Sequence, residues 1–158
     1  MRNTLFFLLC IGLFQGLMAQ NALDEKYGFR NIKLDDRFNN FEDLKLIRES
    51  NGVKYYTKEY EDLKEDNFEI QQIIYGFYDN KLYFIVIQTI GESNGKALLE
   101  YLNKEYGEGQ LNHNIPDSYT WFAKKTGLVY ECKEIPEIAE AYLYSKGLLI
   151  EKRKARKQ

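Results

Sequence analysis

Ile70-Gln71-Gln72-Ile73-Ile74-Tyr75-Gly76-Phe77-Tyr78-Asp79-Asn80-Lys81-Leu82-Tyr83-Phe84-Ile85-Val86-Ile87-Gln88-Thr89-Ile90 is the stretch that decides the fold. Both arms are β-branched and aromatic, a composition that fits a pleated, half-buried surface. Asp79-Asn80 between them is a tight turn, so the segment reads as a β-hairpin of Ile70–Tyr78 and Lys81–Ile90. In the second arm Leu82 to Ile87 is apolar on both parities. Successive strand side chains point to opposite faces. Such a run is therefore covered on both faces, or covered on one and lined with aromatics on the other.

The signals on either side supply the rest of an α+β chain. C-terminal to the hairpin, Ser93-Asn94-Gly95 opens a helix over Lys96–Tyr106 that Gly107 stops. Its Leu98, Leu99, Leu102 and Tyr106 form a buried stripe, with Glu100 and Lys104 paired outside. The loop Glu108–Asp117 leads to a second hairpin, Ser118–Lys124 and Leu128–Lys133, turning at Thr126-Gly127. Another loop, Glu134–Glu140, precedes a last strand, Ala141–Tyr144, and Ser145 caps a helix from Lys146 to about Arg156. N-terminal to the hairpin, Phe38, Phe41, Leu44 and Ile47 recur at spacing three. That spacing predicts a helix capped by Asp35 or Asp36 and ended by Ser50-Asn51-Gly52. Val53–Thr57 reads as a strand, and the charged run Glu59–Glu69 as a solvated loop. The expected architecture is one antiparallel sheet of about five to six strands with helices packed on one face. The repeated order of helix, strand and hairpin also admits a tandem α-β-β-β duplication.

Arg2, an apolar run from Leu5 to Leu17, and Met18-Ala19 make a three-part secretory signal peptide with cleavage expected after Ala19. The run is shorter than the ~20 apolar residues a membrane span needs. Cys10 lies inside it, behind Leu8 and Leu9, which does not suit lipid attachment. The chain therefore divides into a signal peptide (1–19), a single α+β domain (20–150) and a basic tail (151–158). The exported product is expected to be periplasmic or secreted, with no membrane span.

Charge is unevenly placed. Five basic residues, Lys152, Arg153, Lys154, Arg156 and Lys157, fall in the last seven positions. Without them and the leader, 16 Lys and Arg face 24 Asp and Glu. An acidic body argues against a nucleic-acid surface. The tail suits weak contact with anionic surfaces, or simply a solvated helix end.

Catalytic and metal signatures are missing. Cys132 is the one cysteine after the leader, which excludes an internal disulfide, and its strand-like surroundings suit a packed small hydrophobe. His113 is the only histidine, a thin supply for nucleophilic catalysis or zinc. Gly91-Glu92-Ser93-Asn94-Gly95 lacks the Lys-Ser/Thr of a phosphate loop, and Glu59–Glu69 lacks the Asp spacing of a calcium loop. No cofactor is expected. Carboxylates are plentiful, so a small envelope hydrolase built on paired acids stays open as an alternative.

Three stretches carry a resemblance: Tyr27-Gly28-Phe29-Arg30-Asn31-Ile32-Lys33-Leu34, Leu98-Leu99-Glu100-Tyr101-Leu102-Asn103-Lys104-Glu105-Tyr106-Gly107, and Tyr119-Thr120-Trp121. With the element order over residues 27 to 145, they resemble small exported bacterial proteins of the β-lactamase-inhibitor-protein-like group. That group includes the small outer-membrane assembly lipoproteins. The resemblance implies a surface that binds an envelope or extracellular protein without catalysis. This chain lacks a lipid-attachment cysteine and the paired disulfide cysteines that some members of the group carry, and no functional residue carries over. The surplus of strand aromatics is the residue-level counterpart. Tyr75, Phe77, Tyr83, Tyr119 and Trp121 are the expected partner-binding residues, on a sheet face opposite the Lys96–Tyr106 helix.

Overall fold

The computed structural model describes residues 22–133 and 137–157. The leader and its cleavage point lie outside the described residues. Residues 22–26 form a helical turn, α1, followed by the paired short strands β1 (Gly28–Phe29) and β2 (Ile32–Lys33). After a 3-10 turn at Phe38–Asn40 come β3 (Leu44–Ser50), β4 (Val53–Lys58), β5 (Gln72–Tyr78) and β6 (Lys81–Ile90). Helix α2 (Glu92–Tyr106) leads to β7 (Gln110–Leu111), β8 (Ser118–Phe122), β9 (Thr126–Lys133) and β10 (Ile138–Ser145), and then to α3 (Lys146–Ala155). The main sheet runs β3-β4-β5-β6-β10-β9-β8-β7, antiparallel throughout. It is two four-stranded meanders joined through their last strands, β6 and β10. No helix among the described residues is long and apolar enough to cross a membrane.

The founding hairpin forms as its turn chemistry requires. Asp79 (φ 49°) and Asn80 (φ 57°) both take the left-handed conformation of the turn whose twist matches paired strands. Ser145 Oγ accepts from Leu148 N–H at 3.3 Å and turns β10 into α3.

Four expectations are corrected. The helix predicted from Phe38 to Ile47 is a single 3-10 turn followed by edge strand β3. Asn51 (φ 54°) and Gly52 (φ 73°) close a tight β3–β4 hairpin instead of capping a helix; the same left-handed pair serves either purpose. Phe38 and Phe41 pack edge-on to Phe77, whereas Leu46 and Ile47 face solvent, so the spacing of three crosses two kinds of structure. The sheet has eight strands, not five to six, because β3 joins one edge and the two-residue β7 joins the other. The helices do not share a face: α2 packs in one core cluster and Leu148 of α3 in another, on the opposite side of the sheet. Finally, the acidic run is clamped. Arg30 donates to Glu65 (2.7 and 2.9 Å) and to the Asp62 carbonyl (2.7 Å), and the Tyr75 hydroxyl donates to Glu61 at 2.6 Å.

Face assignment follows the register. Ile73, Tyr75 and Phe77 of β5 share a side with Ile85 and Ile87 of β6 and with Ala139, Ala141 and Leu143 of β10. Leu98, Leu102 and Tyr106 of α2 cover the centre of that side, and Leu23, Phe29 and Leu34 complete the same cluster. Polar ties fasten these covers. Tyr106 donates to the Gly28 carbonyl at 2.8 Å, and Tyr130 donates to that of Gly95 at 2.9 Å. The Asp24 carboxylate accepts the backbone N–H groups of Lys124, Lys125 and Thr126 at 2.9–3.1 Å, pinning α1 to the β8–β9 turn.

Candidate binding face

Four of the five aromatics expected on an exposed face are core. Tyr75 (0% exposed), Phe77 (3%) and Trp121 (4%) lie on the α2 side, and Tyr83 (5%) lies on the other. The reason is register. Tyr75 and Phe77 have the same parity as Ile73, which α2's side of the sheet buries. Trp121 donates its indole N–H to the Gly107 carbonyl at 2.5 Å, with its ring against Gly109. Tyr83 departs because β6 bulges: Gly76 pairs with Phe84 but Phe77 with Leu82, leaving Tyr83 as the extra residue. The bulge sends Tyr83 and Phe84 together to the side away from α2, where they cluster with Leu148 of α3. Tyr119 alone is half-buried, packed against Tyr130 at 6.2 Å.

The side away from α2 carries a different aromatic set, arranged in three ranks. The first rank runs across the sheet as Arg48, Tyr55, Gly76, Phe84, Tyr144 and Gly127. A second is Ile74, Val86, Tyr142 and Val129, and a third is Gln72, Gln88, Glu140 and Glu131. The two glycines of the first rank have a packing role. A Cβ on Gly76 would come within 2.2 Å of the Phe84 ring, and one on Gly127 within 2.3 Å of Tyr144. Their absence lets each ring lie across the neighbouring strand instead of standing into solvent.

The rings form a continuous band. Centroids are 5.4 Å apart for Tyr55–Phe84, 5.0 Å for Phe84–Tyr142 and 5.4 Å for Tyr142–Tyr144. Helix α3 covers one margin of this face through Leu148 and Leu149, which pack on the cluster of Val53, Tyr83 and Phe84. Beside it lies a groove of ≈ 470 Å³, within the range of ligand sites. Ile74, Val86, Val129, Phe84, Tyr55 and Tyr142 make its floor; Arg48, Gln88, Glu131 and Glu140 supply its polar groups.

Electrostatically the groove is bipolar. At one end the Arg48 guanidinium stacks 4.0 Å over the Tyr55 ring, and among the described residues no carboxylate lies within 4.0 Å of it. At the other end Glu131 and Glu140 sit directly opposite on β9 and β10. Like charges in that relation repel. Gln88 offsets part of this by donating to Glu140 at 2.5 Å, and Lys133 stands 3.9 Å from the same carboxylate. Burial, chiefly, pushes the Tyr142 and Tyr83 phenols above their ordinary pKa.

A second cavity, also ≈ 470 Å³, lies between the start of α2 and the ends of β9 and β10. Cys132 packs against the core cluster as expected, is half-buried, and lines this cavity with Leu99, Asp117, Tyr119 and Tyr130. His113 is exposed in the β7–β8 connection and lines neither cavity. Among the described residues no three His, Cys, Asp or Glu side chains are placed to hold a metal ion.

Comparison with known proteins finds no matching family model, no matching curated protein and no matching solved structure.

Sequence reading missed Arg48, Glu131 and Glu140 because their grouping depends on which strands pair. β6 and β10 are more than forty residues apart, and no local spacing encodes their union. A partial signal was present: Tyr142 and Tyr144 alternate on one strand, so they had to share a face.

Proposed function

We propose that this chain is an exported, non-enzymatic binding protein of the cell envelope or its exterior, and that it takes a protein partner on the sheet face that α2 does not cover. The observation that carries this reading is the open groove itself, walled by the half-buried rings of Tyr55 and Tyr142 beside buried Phe84, with Arg48, Gln88, Glu131 and Glu140 around it. Mostly apolar clefts with a few placed polar groups are where proteins take ligands, and rigid aromatics contribute large contact area at small entropic cost. The three-part leader supports export, and the resemblance to small envelope binding proteins supports a partner over a substrate. A paired-carboxylate hydrolase has one specific foothold, the facing Glu131 and Glu140.

Site-specific photocrosslinking in cells separates these readings. A crosslinker replacing Val129 in the groove is expected to give a discrete adduct, and one replacing Lys104 on α2 none. Tyr55→Ala should abolish the adduct under conditions where its thermal melt shows the variant still folded. Equal yields from both positions, or no adduct from Val129, would overturn the binding reading. Hydrolysis of an envelope polymer that disappears in Glu140→Gln would establish the second one.

A further inference from the structure

The polarity of the groove names the chemistry of its occupant. Arg48 on β3 marks one end, and Glu131 and Glu140 on β9 and β10 mark the other. Four strands, β4, β5, β6 and β10, separate β3 from β9. At a strand spacing of about 4.8 Å, and with a two-rank offset along the strands, the charged ends lie roughly 25 Å apart. That distance is the reach of about seven or eight extended residues. Between the ends the floor is apolar and aromatic, without a charged group: Ile74, Phe84, Val86, Val129 and Tyr142.

Resting on the open-face reading above, we propose that the groove binds an extended peptide segment of a partner protein, acidic at one end, basic at the other and apolar at alternate positions between. The acidic end meets Arg48. The Tyr55 ring carries that guanidinium on its face, and no carboxylate among the described residues lies within 4.0 Å of its donors. The basic end meets Glu131 and Glu140, whose mutual repulsion Lys133, 3.9 Å from Glu140 alone, relieves only in part. Alternate side chains of an extended peptide point the same way, and those facing the floor fill the spaces between the rings. The segment lies across the strands and is held by side chains; strand addition at an edge does not explain the site. Edge strand β3 is interrupted by a register shift between Leu46 and Arg48, a feature that blunts edge pairing.

The test uses three blocked synthetic octapeptides sharing one Val/Tyr/Ser centre: Glu at one end and Lys at the other, Lys at both ends, and Glu at both ends. Binding to the exported protein is read by fluorescence anisotropy. The mixed peptide is expected to bind best. Arg48→Glu makes both ends of the groove acidic and should transfer preference to the Lys/Lys peptide by about tenfold. The double variant Glu131→Lys/Glu140→Lys should transfer it to the Glu/Glu peptide by a similar factor. Arg48 is exposed, and thermal melts of each variant confirm that the fold persists. Peptides that bind with preferences unmoved by either variant overturn the bipolar assignment. No peptide binding while the Val129 crosslink persists overturns the extended-segment proposal and leaves the open-face reading standing. Concentration-dependent dimerisation that blocks the groove would assign it to a second copy and overturn the proposal. Loss of both peptide binding and crosslink defeats both readings.

Discussion

Ile73 and Ile74 are neighbours on β5 with opposite fates. Ile73 points under α2 and is 2% exposed, whereas Ile74 points into the groove and is half-buried. The same contrast runs through the sheet. On the α2 side, Leu98, Leu102 and Tyr106 of the helix, the N-terminal Leu23, Phe29 and Leu34, and the Phe38–Phe41 turn close over the strands. On the other side one ten-residue helix covers one margin, and the rest is a band of rings. Stability resides mainly on the first side, because burial of apolar area drives folding. The second side carries rings whose residual exposure the fold does not need, and a band of that kind suits recognition.

The largest effect that bears on this contrast comes from alkali, because both faces hold tyrosines. Tyr75, Tyr106 and Tyr130 on the covered side, and Tyr83 and Tyr142 on the other, have pKa values raised mainly by burial. Tyr27 and Tyr101 are pushed up to about 12, again by burial first. A raised phenol pKa means that folding favours the neutral form. The contribution is whole below the unfolded value of about 10 and is lost as pH climbs from there through the folded values. Urea melts between pH 7 and 12 should therefore show stability falling above about pH 10. A stability that rose there would contradict the burial of these rings.

Next in size are the paired truncations on β5. Ile73→Ala should cost about 2–5 kcal/mol in chemical denaturation, the range for a buried aliphatic cut to Ala. Ile74→Ala should cost less than half as much, because groove solvent already reaches its site. Equal losses would erase the distinction between the faces. Asp24→Ala strips the acceptor from three successive backbone N–H groups and should cost about 1–2 kcal/mol; Asp24→Asn should recover part of it. No recovery would assign the loss to the charge. The smallest expected change is at Glu92, whose carboxylate Lys96 holds below the usual range although neither group is buried. Glu92→Gln should leave the unfolding midpoint unmoved at physiological salt. A clear shift would give the start of α2 a weight the packing does not.

Local chemistry was legible wherever one short stretch carried it. The Asp79-Asn80 turn, the α2 stripe of Leu98, Leu102 and Tyr106, and the Ser145 cap each rest on residues within a few positions of one another. Where two structures share one signal, sequence reading took the wrong branch. The spacing of three from Phe38 to Ile47 imitates a helix while crossing a 3-10 turn and strand β3, and Asn51-Gly52 suits a helix end and a hairpin equally. The candidate site was legible only as a surplus of strand aromatics, with most of the expected members on the wrong side or beneath a cover.

The sequence by itself determined an antiparallel α+β chain, its two principal hairpins and an abundance of rings on strands. Only the tertiary structure decided that β6 joins β10, that the bulge at Tyr83 carries Phe84 to the α3 side, and that Glu131 meets Glu140 opposite Arg48. The physical reason is range. Turn and helix preferences act over a few residues, but a strand apolar on both parities leaves its two faces equivalent until a distant partner and a covering helix distinguish them.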